Sequence, residues 1–395
     1  MPNTWDLSPL IRKLQTYIDD QILSGISFVI YKDGQRVGGE ELGYADMASG
    51  RKMASDTIFR IFSNSKIITT AAAMCCHDEG HFQLDDPLEA YIPSFANLKV
   101  LRSNQASSLE TEPLRHKPTV RQLLSHSAGF SYGFLMESPV DELYNKARLL
   151  DPHSNLAQMV DKLSELPLAY QPGTGFQYSI STDILSRLIE IWSGSRFSEF
   201  LQSRIFEPLA MKDTGFYVPE NQKHRLSTNY IPINMSDPMA PGLKVMDDSL
   251  MGGYLAPRSL ESGGGGLVST LGDYATFFRM LEGLGQIDGQ RILSDSAVRE
   301  MTRNQLPQHV YYKSNTWPMP DTVFGLGVAI KTAPQQGEPE EAINEYHWGG
   351  IAGTHSWTAP KAGLTALVFT QRHFGYCHPF SYDFKRMVYE ALANH

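Results

Sequence analysis

The sequence predicts an α+β fold: an antiparallel sheet flanked by terminal helices, with a mainly helical lobe inserted between its strands. Three observations carry that expectation. An amphipathic helix and a hairpin open the chain, strands and a second amphipathic helix close it, and the stretch between is broken by recurrent prolines.

Ser8-Pro9 reads as the N-cap and first residue of a helix running to about Ile22, because Leu7, Leu10, Ile11, Leu14, Ile18 and Ile22 fall at helical spacing. Ile26 to Tyr31 and Val37 to Tyr44 read as two strands joined through Asp33-Gly34, a dipeptide that favours a tight hairpin turn. From Leu84 to about Gly265 the helical stretches are short: Val120–Ser125, Asn155–Leu166, Ser181–Trp192 and Arg196–Leu201. Leu267–Leu284 then reads as helix, and Phe324–Lys331, His355–Ala359 and Leu364–Gln371 as strands, the last two joined by a turn at Pro360-Lys361-Ala362-Gly363. Phe384, Met387, Val388 and Leu392 give the final helix an apolar face. Residues 1–83 and 266–395 are thus expected to build one discontinuous α/β lobe, and residues 84–265 a mainly helical lobe with long loops.

Composition narrows the function. The 395 residues are 42% hydrophobic and 19% charged, as in an ordinary globular enzyme, and the net charge of −9 disfavours a nucleic-acid or anionic-membrane partner. No basic segment leads into an apolar run at the start, and no run approaches the roughly 20 residues that span a bilayer. The three cysteines, Cys75, Cys76 and Cys377, form neither a disulfide framework nor a paired metal spacing, so a reducing, cytoplasmic setting is expected.

Ser63-Asn64-Ser65-Lys66 precedes a helix-like run from Ile67 to Met74. Residues three apart share a helix face, so the Lys66 amine can reach the Ser63 hydroxyl while the helix N-terminus favours developing negative charge. That pairing describes an activated serine nucleophile. Ser49-Gly50-Arg51-Lys52 repeats the spacing in a glycine-containing polar stretch that would not hold the pair rigidly. Two further segments suit the same chemistry. Tyr178 follows a Pro172-Gly173 loop and precedes a helix, where a phenol can relay a proton, and His347-Trp348-Gly349-Gly350-Ile351-Ala352-Gly353 has small residues that let a ligand approach the backbone.

With these residues the chain resembles the serine β-lactamase and penicillin-binding-protein superfamily, and within it the family VIII carboxylesterases, which look like class C β-lactamases turned to ester hydrolysis. The landmarks run through nearly the whole chain: Ser63-Asn64-Ser65-Lys66, Leu84-Asp85-Asp86-Pro87, Leu123-Leu124-Ser125-His126-Ser127-Ala128-Gly129, Pro172-Gly173, Gln177-Tyr178-Ser179, Gly264-Gly265-Gly266-Leu267, Trp348-Gly349-Gly350 and His355-Ser356-Trp357. The resemblance implies a β-lactamase-like fold, a nucleophile at Ser63, a Lys66–Tyr178 pair serving as general base and then general acid, and an oxyanion hole from the backbone N–H groups of Ser63 and Ile351. Tyr132, Trp348, Gly349 and Gly350 are expected to bind substrate. Phe134 and Trp357 are further candidates for the acyl pocket, and for all four aromatic residues, Tyr132 and Trp348 included, plain core packing is the alternative.

Two departures from the lactamase pattern bear on substrate. Ile180 stands where Tyr-x-Asn would place an asparagine, and Trp348 where Lys-Thr-Gly would place a lysine. Lys331-Thr332-Ala333 lacks the glycine of that motif and reads as an ordinary strand end. No metal or other cofactor is expected: Gly80 should end the helix between His77 and His81, and Gly263–Gly266 lacks the Gly-Lys-Ser/Thr of a phosphate loop, which leaves a close-packed backbone beside the pocket. The absence of Gly-x-Ser-x-Gly disfavours an α/β-hydrolase elbow. The expected activity is hydrolysis of a small-molecule ester through an acyl-enzyme, ahead of acyl transfer to an alcohol, β-lactam or D-amino-acid peptide cleavage, and a non-catalytic sensor role. Oligomeric state is not legible in the sequence.

Overall fold

Eight strands hydrogen-bond into one sheet in the spatial order Thr322–Phe324, Ala329–Lys331, Tyr346–Gly350, Thr354–Ala359, Leu364–Phe369, Gly25–Lys32, Gln35–Asp46 and Arg51–Lys52. This is a computed structural model, describing residues 5–104, 109–237, 240–246, 253–314, 318–375 and 378–395; Cys377 lies outside them. Each neighbouring pair in the sheet is antiparallel. Phe28 lies opposite Val368 and Ile30 opposite Ala366, so segments from the two ends of the chain meet in mid-sheet.

Alternation along these strands divides the core. Ile26, Phe28, Ile30, Ala366 and Val368 pack with Trp357 against the terminal helices Ser8–Asp19 and Phe380–Ala393. Val29, Leu367 and Phe369 point to the other face, into a larger apolar cluster that includes Tyr274, Phe277 and Phe278 of the helix Leu271–Glu282. The central helix Ser65–Asp78 lies in that cluster, buried without interruption from Ser65 to Cys76, and packs on the helix Ser181–Ser193. Its polar members Ser65, Lys66, Thr69 and Thr70 are buried along with the apolar ones, so the helix from Ser65 to Cys76 lies wholly in the interior. It therefore makes a rigid base for what its N-terminus carries.

The hairpin turn forms as expected, with Asp33 and Gly34 both left-handed at φ +48° and +73°. The first helix is shorter than its periodicity suggests. Asp6 accepts the Ser8 N–H (3.0 Å), so Ser8 is the first helical residue rather than the cap, and left-handed Gln21 turns the chain so that Ile22 is buried beyond the helix end.

Two segments correct the sequence reading. Val268–Thr270 is a strand paired with Ile58–Arg60, and the helix begins only at Leu271, capped by the Thr270 hydroxyl on the Asp273 N–H (3.2 Å). Phe324–Lys331 is two strands, because left-handed Gly327 at φ +72° reverses the chain between Phe324 and Ala329. The short helices Val120–Leu124, Leu156–Ser164, Ser181–Ser193 and Phe197–Leu201 occupy their expected places, with an additional helix at Val140–Lys146. Among the described residues, no helix is long and apolar enough to cross a membrane.

Candidate active site

Ser63 occupies a single 3-10 turn, Phe62–Asn64, that leads into the central helix. Phe62, just before it, has φ +44°, a conformation that costs a non-glycine residue about 1–3 kcal/mol. Tertiary contacts hold it there. The Phe62 ring packs edge-on against Tyr254 and His373, each at 6.1 Å between centroids. Asn64 ties the turn to the sheet, donating to the Thr354 carbonyl (3.1 Å) and accepting from the Ser356 hydroxyl (3.3 Å), and its own carbonyl accepts from Tyr274 (2.9 Å). Ser63 is left partly accessible among buried neighbours.

One helical turn on, Lys66 is fully buried and its Nζ lies 3.5 Å from Ser63 Oγ, 3.4 Å from Tyr132 Oη and 2.5 Å from the Gly264 carbonyl. Burial pulls its pKa from the ordinary 10.5 down to about 7, and the negative charge of Asp183 opposes only part of that shift. A neutral amine is thus accessible near neutral pH. The ammonium form is also sheltered by two aromatic faces, with Nζ 4.6 Å from the Tyr178 ring centre and 5.1 Å from that of Tyr132.

Tyr178 lies on the loop before the helix Ser181–Ser193. Its loop is fixed to the segment after the helix Val120–Leu124: the Gln177 N–H donates to the His126 carbonyl (3.0 Å) and the Ile180 N–H to the Ser131 carbonyl (3.1 Å). The His126 ring sits 5.0 Å from the Tyr178 ring, and its Nδ1 is 2.9 Å from Ser179 Oγ. Leu-Leu-Ser-His-Ser-Ala-Gly therefore braces the phenol from behind. Burial raises the Tyr178 pKa above the ordinary tyrosine range, although hydrogen bonds with Ser63 and Trp348 pull the other way.

The strand Tyr346–Gly350 forms the facing wall. Trp348 is buried with its ring 5.3 Å from Tyr178, on the face toward Ser63. Gly350 lies so close to the turn carrying Ser63 that a Cβ there would sit 2.4 Å from the Ile61 carbonyl oxygen. The Ile351 N–H, one residue on, has no partner among the described residues, and its side chain packs in the cluster that holds Phe62. Gly349 faces the opposite way, where a Cβ would meet the His355 imidazole at 2.9 Å. Only its backbone is available to the cleft.

Other candidates separate. Tyr132 reaches the site, but its hydroxyl is engaged by Lys66 and by Asp183 (2.8 Å); Phe134 stands beside it, more than half exposed, at 4.8 Å between rings. Trp357 does not line the cleft, because strand alternation turns it toward Phe384 of the last helix. Lys331 is a strand end held on the far face by Glu338 and Glu345. The central helix stops at Asp78, left-handed Gly80 follows, and His81 pairs with Glu79 at 3.4 Å. The described residues contain no group of three or more His, Cys, Asp or Glu placed to hold a metal ion. The glycine-rich loop does run as close-packed backbone beside the site, with the Gly263 carbonyl accepting from Thr69 (2.9 Å) and the Gly264 carbonyl from Lys66. Sequence reasoning missed Asp183 and Asn64. Asp183 lies five residues beyond Tyr178 in a helix-like stretch, so its type and spacing alone read as an ordinary first-turn acid.

The profile of the family described as Beta-lactamase matches residues 10–377. The chain belongs to that family. Among curated relatives it is 31% identical to Protein Rv1367c of Mycobacterium tuberculosis over 373 residues, covering 92% of this chain and 89% of that one. It is 30% identical to the lovastatin esterase of Penicillium rubens over 363 residues, covering 87% and 84% of the two chains. Among solved structures, EstCE1, described as a hydrolase with promiscuous acyltransferase activity, superposes with a TM-score of 0.81 at 24% identity, covering 97% of this chain and 98% of the other. That likeness establishes the β-lactamase-like α+β fold.

Proposed function

We propose that this chain is a serine carboxylesterase of the family VIII type, hydrolysing short- to medium-chain carboxylic esters through an acyl-enzyme on Ser63. The observation that carries the reading is the approach of Lys66 Nζ to Ser63 Oγ at 3.5 Å inside a buried aromatic enclosure. The family and the esterase among its relatives support it. In this reading the opposite shifts of the two titratable groups assign their roles: Lys66, made easier to deprotonate, is the base, and Tyr178, made harder, is the acid. Lys66 takes the Ser63 proton as Oγ bonds the ester carbonyl carbon, and the carbonyl electrons move onto oxygen. The N–H groups of Ser63 and Ile351 hold that oxyanion. Tyr178 protonates the departing alkoxide and regains its proton through Lys66. Water then enters along the same path to release the acid.

Acyl transfer is the second reading, favoured by the described acyltransferase activity of the EstCE1 structural neighbour. An alcohol would replace water in the last step, and a competing alcohol that diverts acyl product from acid to ester would reveal it. The nucleophile itself is tested by labelling. A fluorophosphonate should add once, on the peptide bearing Ser63, and Ser63→Ala should abolish both labelling and turnover, a loss of several orders of magnitude for a true nucleophile. Labelling on another serine would overturn the assignment.

A further inference from the structure

Asp183 is joined to Lys66 by two routes. On one side its Oδ2 accepts the Tyr132 hydroxyl (2.8 Å), whose oxygen lies 3.4 Å from Lys66 Nζ. On the other its Oδ1 accepts the Ser262 hydroxyl and the Gly264 N–H (3.2 Å), while the carbonyl of the same glycine takes a hydrogen bond from Lys66. The two routes close a ring. It fits together only because residue 264 has no side chain: a Cβ there would lie 2.4 Å from both Asp183 Oδ2 and the Tyr132 hydroxyl. Gly263 is under a similar restriction from Ser186 and Thr69, at 2.1 and 2.7 Å.

The ring sets the direction of every proton in it. A carboxylate only accepts, so the Tyr132 proton is committed to Asp183 and the Tyr132 oxygen must accept from Lys66. The Gly264 carbonyl likewise only accepts. A neutral amine has two N–H bonds and one lone pair, and these two acceptors take both N–H bonds. Its third neighbour is Ser63 Oγ.

We propose that Asp183 is a positioning residue which, through Tyr132 and the Gly264 peptide, aims the lone pair of neutral Lys66 at the Ser63 hydroxyl. The inference rests on the acyl-enzyme reading of Ser63 and Lys66 and adds what orients the base. It gives Tyr132 the task of holding Lys66 rather than contacting the acyl chain. It also explains the glycine run as the backbone half of the same clamp.

The test is Asp183→Asn, alone and combined with Tyr132→Phe. In the asparagine variant the amide oxygen stays with Ser262 and the Gly264 N–H, which turns the NH2 toward Tyr132. The Tyr132 oxygen then accepts from Asn, and its proton swings to the Lys66 lone pair. Acylation of p-nitrophenyl butyrate should fall by about a hundredfold or more, the range of general-base catalysis, with KM nearly unchanged. Tyr132→Phe alone should cost about tenfold in kcat, as one acceptor of the amine is lost, and the double variant should recover at least about tenfold over Asp183→Asn, since the competing proton is gone. A merely structural role predicts the reverse, a double variant no better than the single. The proposal is overturned if Asp183→Asn stays within about threefold of the parent, or if the double variant shows no recovery. Should Asp183→Asn fail to fold by circular dichroism, Tyr132→Phe decides, and parent-like kcat in that variant contradicts the proposal. Fluorophosphonate labelling of Ser63 on the parent enzyme separates the two readings. If it labels Ser63 while these variants behave as parent, only the positioning role falls.

Discussion

At the scale of single residues, the decisive feature is the environment of Lys66. Burial brings its pKa from 10.5 to about 7, so near-neutral pH is where the amine begins to lose its proton. A base works only when that proton is off, which fixes the sign: kcat/KM should drop by about tenfold per pH unit below about pH 7 and level off above it. Tyr178 is held above the ordinary tyrosine range and keeps its proton throughout, so no alkaline fall is expected near neutrality. Steady-state rates on p-nitrophenyl butyrate from about pH 5 to about pH 9 measure this, and a rate still climbing about tenfold per unit at about pH 9, as an ordinary lysine would give, would contradict a base whose pKa burial has lowered. Ser63 and Lys66 were legible because three-residue spacing on a helix is a local rule. Tyr178 was legible by its place before a helix. Asp183 was not, since its partners Tyr132, Ser262 and Gly264 come from three separate stretches of chain and no local pattern joins them.

At the scale of elements, the approach of two segments shapes the cleft: the turn carrying Ser63 and the end of the strand Tyr346–Gly350. Gly350 is where they touch. Its substitution by alanine would place a Cβ 2.4 Å from the Ile61 carbonyl oxygen and 2.4 Å from Thr354 Oγ1, and the backbone atom cannot rotate away. Gly350→Ala should therefore destabilise the fold by about 1–3 kcal/mol, the usual cost of overpacking, as read from urea unfolding. It should also slow acylation by about tenfold, by shifting Ile351 from Ser63, since loss of a whole oxyanion donor costs about a hundred- to a thousandfold. A variant unchanged in both measurements would show that this contact does not set the cleft.

The same scale explains what the sequence concealed. Asp33-Gly34 announced its hairpin because both residues tolerate positive φ. Phe324-Gly325-Leu326-Gly327-Val328-Ala329-Ile330-Lys331 looked like one apolar strand, yet Gly325 is in close contact with the Met301 carbonyl and Gly327 takes positive φ, so a hairpin forms inside it. Val268-Ser269-Thr270 merged with the following helix in the sequence because its pairing partner, Ile58–Arg60, lies more than two hundred residues away in the chain; the Thr270–Asp273 spacing was the available sign of a boundary.

At the scale of the whole molecule, the sheet separates two environments. Its face toward the central helix holds Ser63, Lys66, Tyr178 and Trp348, and its other face packs the terminal helices, with Lys331 held there by Glu338 and Glu345. On the resemblance to the lactamases, the neutral indole of Trp348, 5.3 Å from the Tyr178 ring, would stand at the position of their lysine and Ile180 at that of their asparagine. A β-lactam brings a carboxylate and a side-chain amide that such a surface leaves unmet. The first omission costs about 1.5–3 kcal/mol and the second about 1–3 kcal/mol. Together they amount to roughly a hundred- to ten-thousandfold in relative rate, and a simple ester makes neither demand.

Comparing kcat/KM for p-nitrophenyl butyrate and nitrocefin on one preparation tests that account most directly. The ester should be preferred by about a hundredfold or more, with the preference kept across short- and medium-chain acyl groups. Nitrocefin turned over as well as the ester, or better, would contradict the assignment of this cleft to ester hydrolysis.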